Sequence, residues 1–208
     1  MITKIRCRVH TQLASTLLAA GIVAAMVAPS VTLAVPSSAP APAANAKSVS
    51  LRLADVLHVL GTNISTGPAR YSKPSAMGAC TSTPPATDYT ANFSGPLRTK
   101  GVLTVISDVY TYKSAGGPTC NQQIEVTEYK LVGAITGKMT TVHGVGEQAF
   151  ILDATGPKTP QPPVYSLALK FTRGLYRAII VVQSNKPIRV SDMIRLGVIV
   201  DGRMKRTR

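Results

Sequence analysis

The hydrophobic pattern changes rhythm along the chain. From Leu13 to Ala28 it reads LASTLLAAGIVAAMVA, without charge and apolar except at Ser15 and Thr16. Further on, Leu53, Val56, Leu57 and Leu60 fall at i, i+3, i+4 and i+7, a helical stripe over 50–60 that Gly61 ends, with His58 off the stripe. GVLTVISDVYTY, residues 101–112, is dense in β-branched and aromatic side chains and predicts a strand; a turn through Gly116-Gly117 follows. Over 121–138 two periods compete. Ile124, Glu128, Leu131 and Ile135 approach helical spacing, whereas Val126, Thr127, Tyr129 and Val132 favour a strand; we read a helix.

The last third is more regular. Residues 149–153 predict a strand, and 164–172 and 175–183 predict a hairpin turning at Arg173-Gly174. In YSLALKFT, Ser166, Ala168 and Lys170 alternate with Leu167, Leu169 and Phe171, so one face should be buried and the other wet. YRAIIVVQ is nearly continuous apolar, as in a central strand. Ser191 as N-cap, Asp192 in the first turn and basic residues at the far end predict a final helix to about Met204. Between the first helix and the first long strand, Pro68, Pro74, Pro84, Pro85 and Pro96 restrict 62–100 to short edge strands and turns. The alternation of helix and strand groups predicts an α+β fold, an antiparallel sheet with helices packed on one face, in a single domain.

The uncharged run near the N-terminus follows Lys4, Arg6 and Arg8 and is broken by Pro29. This order of basic, apolar and small-residue zones is that of a secretory signal, residues 1–34, cleaved after Ala34 or, as second choice, after Ala46. The run is short of the roughly 20 apolar residues of a spanning helix. Secretion is therefore expected, with a retained anchor that leaves the domain outside the cytoplasm as the alternative. Residues 35–47 form a Pro/Ala-rich tether unable to bury enough apolar surface to order itself, and 48–208 form the α+β domain.

That location changes how the cysteines and charges read. Cys7 leaves with the signal, so Cys80 and Cys120 are expected to pair as one disulfide. The net charge of +14 falls to +11 once Lys4, Arg6 and Arg8 are removed. Such an excess attracts polyanions, but the basic residues are scattered except at the tail, where Arg203, Lys205, Arg206 and Arg208 are the candidate polyanion-binding residues. No aromatic interleaving or recognition motif points to nucleic acid. The two remaining cysteines lack zinc-ligand spacing, and neither a metal nor a cofactor is expected.

Val142-His143-Gly144-Val145-Gly146-Glu147-Gln148-Ala149-Phe150, with Gly144–Phe150 as its motif-like part, resembles a "G-[LV]-G-[DE]-x-A-[FY]" segment in small extracytoplasmic domains of actinobacterial lipoproteins and secreted proteins. The resemblance implies an envelope-associated or secreted domain over roughly 48–204, without catalytic residues to carry over; unlike many such proteins, this chain has no Cys for lipidation after its signal. Read physically, the glycines permit a tight entry into a strand and Glu147 can accept from backbone amides. No hydrolase elbow, zinc-protease, calcium-loop or phosphate-loop motif is present. His143 with Glu147 and Asp153 is the best catalytic constellation available, and no catalytic residue is assigned. The expected function is a non-catalytic secreted or surface-tethered domain whose partner is an anionic envelope component or a protein; the alternative is an electrostatic binder of envelope polymers or nucleic acid.

Overall fold

Alternation at period two builds the centre of the molecule. A computed structural model describes residues 45–61, 64–72, 80, 83–95, 101–132, 138–155 and 164–207, all in one compact unit. The expected signal, and the expected tether up to residue 44, lie outside the described residues. The strands are β1 (Ser65–Thr66), β2 (Arg70–Ser72), β3 (Thr87–Ser94), β4 (Val102–Thr111), β5 (Lys138–Val142), β6 (Gln148–Asp153), β7 (Tyr165–Arg173) and β8 (Tyr176–Ser184). They form one 8-stranded antiparallel sheet in the order β1-β3-β4-β8-β7-β6-β5, with β2 also paired to β3. The hairpin of β7 and β8 turns at Gly174, and β8 lies between β4 and β7, the central place its apolar sequence calls for.

Helices α1 (Ala46–Val49), α2 (Leu53–Leu60) and α4 (Val190–Arg206) pack on one face, which we call the inner face. Val105 and Val109 of β4, Leu169 and Phe171 of β7, and Ala178 and Ile180 of β8 point there and are fully buried. Met193, Leu196, Val200 and Met204 of α4 close over them, each with no exposed surface. Gly61 ends α2 in a left-handed conformation at φ +59°, its amide donating to Leu57 O at 2.9 Å. Ser191, expected as the cap of α4, sits one residue inside it. Arg189 takes the cap position, and its Nε donates to Asp192 at 2.8 Å.

Helix α3 (Gly116–Val132) adds to this sandwich by crossing the opposite, outer face. It begins inside the expected turn, because Pro118 falls in its first turn, where no backbone donor is required. It also stops before Lys138, which opens β5 instead of closing a helix. The expected disulfide is formed: Cys80 and Cys120 lie at S–S 1.98 Å, so the chain before β3 is tied to α3. Two further expectations are corrected. β3 is a full internal strand of 8 residues, not a short edge. The polar face of β7 is not wet, since α3 covers it and leaves Lys170 6% and Thr172 0% exposed.

Candidate functional site

The segment 142–150 is where β5 turns into β6. Gly144 (φ +83°) and Gly146 (φ +62°) make the reversal in a region that disfavours side chains. Between them Val145, 2% exposed, is driven under α4 at Gly197, where a Cβ would stand 3.0 Å from Val145 Cγ1 and 2.5 Å from Leu169. A Cβ on Gly146 would lie 2.6 Å from Thr172 O, so the backbone approaches β7 closely. There Glu147 N donates to Thr172 O at 2.7 Å.

Polar groups fasten the same junction. Arg173 donates to Gly146 O at 2.9 Å and, in a bidentate pair, to Asp201 of α4 at 2.6 and 2.9 Å. Burial would raise the pKa of Asp201, but hydrogen bonds from Arg173 and Lys205 outweigh it and hold the carboxyl below its usual range. Gly174 N donates to Glu147 Oε1 at 3.3 Å, a backbone role of the kind expected for that carboxylate. The motif-like segment thus locks the β5–β6 turn, the β7–β8 turn and α4 together.

The catalytic constellation does not assemble. His143 is exposed beside Val142, which pairs with Ala149, whereas Asp153 pairs with Lys138 at the other end of the hairpin. At about 3.3 Å per residue that is roughly 13 Å away. Asp153 instead accepts from Thr155 N at 3.0 Å and from its hydroxyl. Among the described residues no group of His, Cys, Asp and Glu could hold a metal ion.

His143 and Glu147 do line an open groove of about 720 Å³ on the outer face, between α3 and the β5–β6 hairpin. Val126, Met139 and Phe150 give it apolar walls, and Gln122 adds a polar contact. Gln122 is 2% exposed, with Nε2 donating to Gln148 O at 2.9 Å and Oε1 lacking a hydrogen-bond partner among the described residues.

Beside the groove lies a charge network that sequence reasoning missed. Glu125 of α3 forms ion pairs with Lys170 and Arg177, whose side chains are largely buried. Arg177 stands 5.7 Å from the Tyr110 ring centre. Burial, followed by the negative charge of Asp108, raises the pKa of Tyr110; burial also raises that of Tyr112, against the opposing charge of Arg177. Asp108 is raised too, by burial first and then by Asp88, with a hydrogen bond from Thr90 opposing. A signal existed: Lys170 and Arg177 interrupt otherwise apolar strands, and charged residues become buried there only when paired.

The expected polyanion residues lie on the last turns of α4. Arg203 faces inward, donating to Ser50 O at 2.6 Å and to Asp55 at 2.8 Å. Lys205 pairs with Asp201 at 2.9 Å, Arg206 is exposed, and Arg208 lies outside the described residues.

A single antiparallel sheet with helices on both faces and a disulfide on one helix defines a small α+β domain. No known sequence family matches the chain. No curated protein is similar to it in sequence. Among solved structures, the extracellular domain of PknH from Mycobacterium tuberculosis has a similar fold, with TM-score 0.52 and 13% identity over 80% of this chain and 98% of that one. At that identity the likeness is one of fold, and it agrees with the resemblance to extracytoplasmic domains at that level. Among the described residues no helix is long and apolar enough to cross a membrane.

Proposed function

We propose that this protein is a non-catalytic extracytoplasmic domain, secreted or tethered at the surface, that captures an envelope component in the groove between α3 and the β5–β6 hairpin. The groove carries the reading: about 720 Å³ of open space combines apolar walls with a polar rim, the composition of a recognition cleft. The Cys80–Cys120 disulfide suits an oxidising compartment. The fold likeness to an extracellular domain supports the same placement, and the separation of His143 from Asp153 supports a binding role over a catalytic one.

Two measurements test this. Mass spectrometry of the native protein from envelope extracts should find a retained small molecule, and Thr141→Trp, which places a large ring at an exposed position in the groove wall, should release it. Retention that the substitution leaves unchanged, or none by either protein, refutes the groove reading. Export is tested separately: N-terminal sequencing of the protein outside the cytoplasm should begin near Val35, and recovery only from cytoplasm refutes the placement.

A further inference from the structure

Every strong acid–base pair among the described residues draws on few carboxylates. Glu125, Asp55, Asp192 and Asp201 engage Lys170, Arg173, Arg177, Arg189, Arg195, Arg203 and Lys205. Several exposed cations are left without an ion pair to a described residue, among them Lys47, Arg52, Lys113 and Lys186. Two of these converge. Lys47 and Arg52 line one groove of about 470 Å³ between α1, the start of α2 and the β1–β3 edge of the sheet. Among the described residues no acidic one lines it. Asp55, the nearest acid along the chain, is occupied by the Arg203 guanidinium and by the backbone amide of Arg52. The deep side of the groove is apolar: Leu51, Leu53, Tyr89 and Phe93.

We propose that this groove binds the anionic headgroup of an envelope lipid, with Lys47 and Arg52 holding the phosphate and the first part of an acyl chain lying against Leu53 and Phe93. Charge complementarity selects an anion. The apolar side selects one with a hydrocarbon body over a free inorganic ion. Position favours a lipid surface, because Asn45 also lines the groove, and the expected tether joins the domain at its rim. A chain held or delivered at the envelope would therefore present this groove next to its attachment. The proposal rests on the extracytoplasmic reading for its biological setting, but the binding itself is measured independently of it.

The test is co-sedimentation of the purified protein with phosphatidylglycerol-containing vesicles and with phosphatidylcholine vesicles at one ionic strength. Binding to the anionic vesicles alone is expected. The double variant Lys47→Ala/Arg52→Ala should weaken it by about thirtyfold, each cation contributing about fivefold near an anionic surface. Ala69→Glu, at an exposed position in the groove wall, should weaken it similarly while leaving the fold intact. Lys113→Ala/Lys186→Ala removes the same charge elsewhere and should change binding little; an equal loss there would mean diffuse attraction and overturn the site. Equal binding to neutral vesicles, no binding to either, or full displacement by inorganic phosphate when chloride at the same ionic strength has no effect would also overturn it.

Discussion

At the scale of single residues, the junction around Gly146 is the least replaceable point. Its φ of +62° and the 2.6 Å approach of an added Cβ to Thr172 O act together. Gly146→Ala should lose about 2–4 kcal/mol, a left-handed penalty of about 1–2 plus displacement of packed backbone, read as a lower urea midpoint with an unchanged slope. Gly144, whose added Cβ would meet nothing within 4 Å, should lose less on the same substitution. Asp108 predicts the opposite sign. Its folded pKa is raised, so its ionised form opposes folding at neutral pH, and that cost disappears as pH falls through the folded pKa. Arg70, Asp88, Thr90 and Arg177 are the groups that act on it. Asp108→Asn should therefore raise the melting temperature at neutral pH, by an increment that shrinks on acidification. Asp201 behaves inversely: its depressed pKa contributes stability above the unfolded pKa that is lost as pH falls through the folded value.

At the scale of elements, α3 is the informative case. Its periodicity was ambiguous because the side it lays on the sheet is polar: Gln122 and Glu125 occupy positions where a helix over a core carries Leu or Val. The elements that pack apolar against apolar, α2, β4, β7, β8 and α4, are legible in the sequence because burial and period agree there. β5 was not legible, since its five residues pair only with β6 and bury little. The candidate groove was legible only in part: the 142–150 segment on one side of it stands out in the sequence, whereas α3 and β5, which complete it, are the elements that local pattern specifies least. What fastens α3 is covalent and electrostatic. Cys80→Ser/Cys120→Ser opens a loop with sequence separation 40, and the chain-entropy estimate is a loss of about 4 kcal/mol, measurable as a lower denaturant midpoint. Glu125→Gln leaves Lys170 and Arg177 charged under the helix without their carboxylate; a loss of about 3 kcal/mol is expected. Lys170→Met added to it should restore part of that loss, and a double-mutant cycle would measure how much.

At the scale of the whole molecule, the inner-face core is completed by the C-terminal helix. Met193, Leu196, Val200 and Met204 are all fully buried, so a chain ending at Ser184 should show no cooperative thermal transition. The charge pattern has the same global character: Glu125, Asp55 and Asp201 are used in largely buried pairs, and much of the positive excess is left on the surface, where it raises attraction to anions without shaping the fold. The place of β8 then bears on how the protein is made. Its neighbours β4 and β7 are synthesised before it, and Val109 of β4 waits for Ala178 to pair. A nascent chain therefore carries an open sheet edge until β8 has emerged, and long-range pairing of this kind is intrinsically slow. The pairing that makes β8 the centre of the finished sheet thus also sets the moment of folding, since no earlier strand can close the gap between β4 and β7.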